Sequence, residues 1–168
     1  MTASVDAASF RHGARLHNPY CSVPTYIRPD LMTQGLADID ADGNGVIFIG
    51  RDEAVGDRAY RNFLMAHECC HHSRGHLLRL KQLGKRNALL SVHGNNGSFE
   101  LDADCCAAIS LTKSGRPDAV TEAAKRMRSF GAMPTGGRGY PSGDRRAYML
   151  ELCAGSIKQT PMTRPTGG

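Results

Sequence analysis

The chain has 168 residues, a formal net charge of +5, 40% hydrophobic and 6% aromatic residues, and no tryptophan. That length serves one domain with a core of its own, and the composition excludes a disordered, collagen-like or acidic solvating chain. The longest apolar stretches, such as Val46–Ile49, run to a handful of residues against the roughly 20 that a bilayer-spanning helix needs, so no membrane span is expected.

Residues 1–20 read as a flexible arm. They lack the apolar central run of a secretory signal, and Arg11, His12 and Arg15 interrupt what there is. The cytoplasm is therefore the expected compartment, with signal-independent export left open by the even cysteine count. Thr25-Tyr26-Ile27 reads as a short β-like run, and Val46-Ile47-Phe48-Ile49 as a strand that is apolar on both faces. The segment Asp38 to Gly45 between them matches the opening of a calcium loop, but its twelfth position is Ile49, where such a loop needs a bidentate acid. It is expected to be a hairpin or strand-entry turn.

Residues 54–82 read as one long helix, or two joined near Gly75, with Tyr60, Phe63, Leu64, His67 and His71 on one stripe at helical spacing. Gly94-Asn95-Asn96-Gly97 is a break, and Ser98 is the expected cap of a helix from Phe99 to Leu111. A further amphipathic helix is expected over Pro117–Phe130, a glycine-rich loop over 131–143, and a last short helix over Asp144–Leu152. Residues 154–168 read as a disordered tail. Residues 1–100 balance to +1 and residues 101–168 to +4. Without a dense Lys/Arg run or interleaved aromatics, this bias reads as a solvated basic face, and nucleic acid is not an expected partner.

The chemistry concentrates in His67-Glu68-Cys69-Cys70-His71, an H-E-x-x-H motif on a helix. Positions i and i+4 lie one turn apart on one face, so both imidazoles can reach a single Zn2+. Glu68 can then reach the attacking water rather than the metal, and serve as general base and later as proton donor to a leaving amine. A catalytic zinc needs a third protein ligand and an open fourth position. Glu100 and Asp104 are again i and i+4 on the next helix, so one carboxylate can ligate and the other can accept the free N–H of a ligating histidine.

H-E-x-x-H followed by E-x-x-x-D resembles the pattern of the gluzincins. Within them, the strand at Gly45–Ile49, H-E-C-C-H-H-S-R-G-H at 67–76 and F-E-L-D-A-D at 99–104 resemble the HtpX-like and CAAX-prenyl-protease metallopeptidases. The resemblance covers roughly residues 45–153. It implies an α+β, zincin-like fold over residues 21–153, with a small antiparallel or mixed sheet packed on the H-E-x-x-H helix and the E-x-x-x-D helix. It also implies one catalytic Zn2+ held by His67, His71 and Glu100, with Asp104 supporting a ligand and Glu68 catalytic. The implied activity is zinc-dependent endopeptidase hydrolysis of a peptide or protein substrate, which Val46, Ile47, Phe48 and Ile49 would align by edge pairing.

Tyr140 to Arg146 resembles the family's late H-P-x-x-x-x-R segment with tyrosine in place of histidine, so Tyr140 could bond an oxyanion and Arg146 could hold the carboxylates near Asp104. The family's membrane helices have no counterpart, as in the minimal minigluzincins. His72 and His76 are read as residues supporting the site or lying on the surface, not as ligands. Cys69-Cys70 and Cys105-Cys106 lie on helices that must touch to share a metal. Free thiols packed as small hydrophobes are expected, with disulfides and a cysteine-ligated structural zinc as the alternatives. The rival function is a noncatalytic, zinc-stabilised binding module using the basic C-terminal half on nucleic acid or a protein. An exported effector or toxin that cuts a foreign protein is a third.

Overall fold

Val46–Ile49 lies at the heart of a four-stranded sheet in a computed structural model that describes residues 13–86, 96–136 and 139–158. The strands are β1 (Ala14–Leu16), β2 (Thr25–Arg28), β3 (Gly35–Ile39) and β4 (Gly45–Gly50), in the order β1-β2-β4-β3. The sheet is mixed. β4 runs parallel to β2 and antiparallel to β3, and β1 is antiparallel to β2. With both sides paired, β4 has no free edge for a substrate, which corrects the aligning role expected of Val46, Ile47, Phe48 and Ile49. Its two buried faces account for its unbroken apolar run. Ile47 and Ile49 enter the main core, while Val46 and Phe48 join Tyr26 in a small cluster on the other face.

β3 and β4 form the hairpin expected from Asp38 to Gly45. The carboxylates there are spent on the turn: Asp40 Oδ1 accepts from the backbone N–H groups of Asp42 at 3.0 Å and Asn44 at 2.8 Å. β1 begins inside the expected N-terminal arm, so that arm is at most residues 1–13; residues 1–12 lie outside the described part.

Six helices follow among the described residues: α1 (Arg51–Val55), α2 (Arg58–Ser73), α3 (His76–Arg86), α4 (Asn96–Lys113), α5 (Pro117–Arg128) and α6 (Gly143–Lys158). The α2 start is capped by Asp57, whose carboxylate accepts the Tyr60 N–H at 2.7 Å. Residues from Tyr60 to His71 are almost all buried, because α2 is covered by the sheet, α4 and α5. Alanines 119, 123 and 124 let α5 sit close.

Three boundaries differ from expectation. Helix α4 starts at Asn96, so Ser98 lies inside its first turn and is not the cap. Helix α6 runs to Lys158, taking in residues expected to begin the tail, since Cys153 is buried and bonded to Cys105. Residues 159–168 lie outside the described part. No helix among the described residues is long and apolar enough to cross a membrane.

All six cysteines are paired, as Cys21–Cys69, Cys70–Cys106 and Cys105–Cys153, with Cα–Cα separations of 5.8, 6.0 and 5.2 Å. This corrects the expectation of free, packed thiols. It also leaves no thiolate for a cysteine-ligated metal. Because two of the three helix cysteines sites are adjacent pairs, the bonds form a ladder. It runs from the loop before β2 to α2, from α2 to α4, and from α4 to α6.

Candidate metal centre

α2 and α4 cross with the faces bearing His67, His71, Glu100 and Asp104 against each other. His67 Nε2 and His71 Nε2 lie 3.1 Å apart, and Glu100 Oε2 and Oε1 lie 3.3 and 3.4 Å from them respectively. Those edges can be compared with a tetrahedral zinc site. Metal–ligand bonds of about 2.0–2.1 Å give ligand–ligand edges of about 3.3–3.4 Å. The donor set fits as well: it is two imidazoles and one carboxylate whose ligand atoms lie within 4.8 Å of one another. A tetrahedral ion held by these three would have one position left for water or substrate.

Behind the trio, Asp104 is fully buried, with Oδ1 3.0 Å from His67 Nδ1. Arg146, on α6, grips Asp104 in two parallel bonds, Nε to Oδ2 at 2.7 Å and Nη2 to Oδ1 at 2.8 Å. The same Nη2 reaches Glu100 Oε2 at 3.3 Å, and Nη1 donates to Thr135 Oγ1 at 3.1 Å. Arg146 therefore ties both carboxylates of α4 to the glycine-rich loop.

Burial alone would push the Asp104 and Glu100 carboxyls up. Arg146 and His67 outweigh it, lowering Asp104 and bringing Glu100 to about 2. Burial pulls His67 down, but Asp104 and Glu100 more than reverse this and raise it to about 10, whereas burial and the neighbouring His67 charge take His71 to about 3. The metal-free site thus keeps a proton on His67, between the two carboxylates.

Glu68 faces the sheet. Its carboxylate lies against β3, where a Cβ added at Gly35 would meet Oε1 at 2.6 Å. A methyl there would force the Glu68 carboxylate to shift. Burial raises Glu68 to about 7, against the lowering effects of His67 and the Ala37 backbone N–H. Tyr140 lies in the glycine-rich loop, and burial, followed by the charges of Glu100 and Glu68, pushes its phenol up.

The structure brings together His67, His71, Glu100, Asp104 and Arg146; it sets Glu68 against β3 and keeps Tyr140 in the glycine-rich loop, and it leaves out Val46–Ile49. It adds Gly35 and β3, for which the sequence held no periodic signal because the strand is short and half polar. It also gives His76 a place. This residue is fully buried, with Nδ1 3.1 Å from His71 Nδ1 and Nε2 2.9 Å from Asp102 Oδ2. The Gly75-His76 pair that ends the 67–76 stretch and the alternating acids Glu100, Asp102 and Asp104 are the available signals. His72 instead bonds the Val46 carbonyl at 3.1 Å, away from the trio.

No protein-family model matches the chain, and no curated protein or solved structure compared with it gives a significant match.

Proposed function

We propose that this protein is a zinc-dependent peptide hydrolase with a zincin-like arrangement of helices. One observation carries this: His67 Nε2 and His71 Nε2 stand 3.1 Å apart, each has a Glu100 carboxylate oxygen 3.3–3.4 Å away, and Glu68 is next in sequence to His67. Zinc, when bound, would supply a Lewis acid that polarises the scissile carbonyl and acidifies the attacking water. The remaining steps belong to the chain. Glu68, poised near neutrality by burial, accepts the proton that water loses as it attacks, and passes it to the leaving amine nitrogen as the C–N bond breaks. Tyr140 donates its hydroxyl hydrogen bond to the carbonyl oxygen as charge develops there. Asp104 and Arg146 fix the orientation of His67.

Charge balance supports the division of labour. Glu100, Asp104 and Arg146 together carry one net negative charge. A proton on His67 neutralises it in the metal-free chain, and a divalent cation would exceed it by one, which ionised Glu68 offsets. An extended peptide would pair with the outer edge of β3 beside Glu68, since among the described strands β3 pairs with β4 alone. Three disulfides fit an oxidising compartment rather than the cytoplasm.

The test is Glu68→Gln, compared with wild type by metal analysis and by cleavage of a broad peptide library. The variant is expected to keep one zinc per chain and lose hydrolysis by about 100-fold or more. A zinc-loaded wild type as inert as the variant would overturn the assignment.

A further inference from the structure

We infer that His76 and Asp102 form a second orienting arm of the metal centre, setting His71 as Asp104 sets His67. This rests on the proposed zinc site. The two arms start from the same chemical need. A histidine that ligates through Nε2 carries its proton on Nδ1, and whatever accepts that proton fixes the ring. His67 Nδ1 faces the Asp104 carboxylate at an ion-pair distance of 3.0 Å, whereas among the described residues no ion pair places a carboxylate at His71 Nδ1. Its neighbour is His76 Nδ1 at 3.1 Å.

The hydrogen bonds then allow one self-consistent assignment. His71 Nδ1–H donates to the lone pair on His76 Nδ1. His76 must carry its own proton on Nε2, and that atom lies 2.9 Å from Asp102 Oδ2, an acceptor. Each ring nitrogen along this path has a role and none is left over. The path is also mechanically held. The ring of His76 stacks on Phe99 with centroids 4.7 Å apart and planes 21° apart. Gly75 adopts φ +70 between α2 and α3, a left-handed turn that starts α3 at His76 and folds it back beneath His71. Phe99, Glu100, Asp102 and Asp104 all come from the first turns of α4, so one helix supplies a ligand, both outer carboxylates and the stacking ring.

His76 and Asp102 are positioning residues, and their signature is metal affinity rather than fold. Zinc dissociation constants are measured on the oxidised full-length chain by competition with a chromophoric chelator, alongside melting of the metal-free protein and the visible spectrum of the cobalt(II) form. His76→Phe keeps the stack and removes the acceptor; it is expected to weaken zinc about 10- to 100-fold and alter the cobalt spectrum. His76→Gln, which restores an acceptor, should recover most of the affinity. Asp102 is half-exposed, so Asp102→Ala leaves the fold intact and decides the matter if His76→Phe does not fold; about tenfold weaker zinc is expected. His72→Ala should bind zinc as wild type does. If wild type binds zinc and His76→Phe or a sole folding Asp102→Ala binds it equally well, the second arm is wrong while the zinc site stands. If wild type binds no zinc, the metal centre itself is wrong and the arm falls with it.

Discussion

Cys70 lies one residue before His71 and Cys106 two residues after Asp104, so their bond ties the two ligand-bearing helices beside the metal centre. Replacing both by alanine removes that tie and leaves Cys21–Cys69 and Cys105–Cys153 in place. The three bonds close stretches that follow one another along the chain instead of nesting, so the loss of one does not relax the others. For a sequence separation of 36, the chain-entropy relation gives about 4 kcal/mol at 25 °C. That is a large part of the roughly 5–15 kcal/mol available to a domain. With a urea slope of about 2 kcal/mol/M, the unfolding midpoint should fall by about 2 M. Both proteins are unfolded in urea without reductant, metal-free, and their zinc affinities are measured separately. The stability loss is accompanied by at least about a tenfold loss of zinc affinity, about 1.4 kcal/mol, because Glu100 is no longer held opposite His67 and His71. A midpoint that moves by less than about 0.5 M would refute the entropic estimate. An unchanged zinc affinity would refute the coupling of this bond to the metal centre.

Gly35→Ala places a methyl within 2.6 Å of Glu68 Oε1 and should cut hydrolysis at least about tenfold while zinc content stays at wild type; undiminished turnover would show that Glu68 is not confined by β3. In the metal-free protein, Glu100 has its pKa lowered from 4.5 to about 2, so its stabilisation is present above pH 4.5 and is lost as pH falls through 2. His67 is raised from 6.5 to about 10, so its contribution is complete below pH 6.5 and is lost as pH rises through 10. Thermal melts in chelator across these two windows should fall at both ends, and a flat profile would contradict the Glu100–His67 pairing. Stripping zinc should abolish hydrolysis yet leave a cooperative unfolding transition, lowered by about 3 kcal/mol relative to protein in zinc at 100 times its dissociation constant. Loss of the transition altogether would mark the metal as structural.

The parts legible in the sequence are those governed by local spacing. The stripe from Tyr60 to His71 gave α2, and i, i+4 pairs on two helices gave all four of His67, His71, Glu100 and Asp104 a common direction, which the packing of α2 on α4 turns into contact. Gly75 marked a true helix junction. What spacing could not reveal is which side of an element has a neighbour. Val46–Ile49 is apolar on both faces, a pattern that reports burial above and below the sheet and says nothing about its edges; the partners on those edges are β2 and β3, and β3 is too short and too polar to advertise itself. Spacing leaves His76 undecided between a supporting and a surface place for the same reason. Five residues beyond His71 it is off the α2 stripe, and only the left-handed turn at Gly75 returns it to His71.

The cysteines bear on whether the metal would be catalytic or structural. A structural zinc site is closed by four protein ligands, and small domains that depend on one are unfolded without it. Here the described residues bring three donors within 4.8 Å of one another, and every cysteine sulfur is already bonded to another. The ladder from Cys21 through α2 and α4 to α6 joins the same helices that a structural metal would have to join. Covalent bonds thus already join α2 to α4 and α4 to α6 beside the proposed ligands. On the proposed reading, a coordination position left open by His67, His71 and Glu100 would serve a hydrolase, whereas a binding module stabilised by zinc would have no use for it.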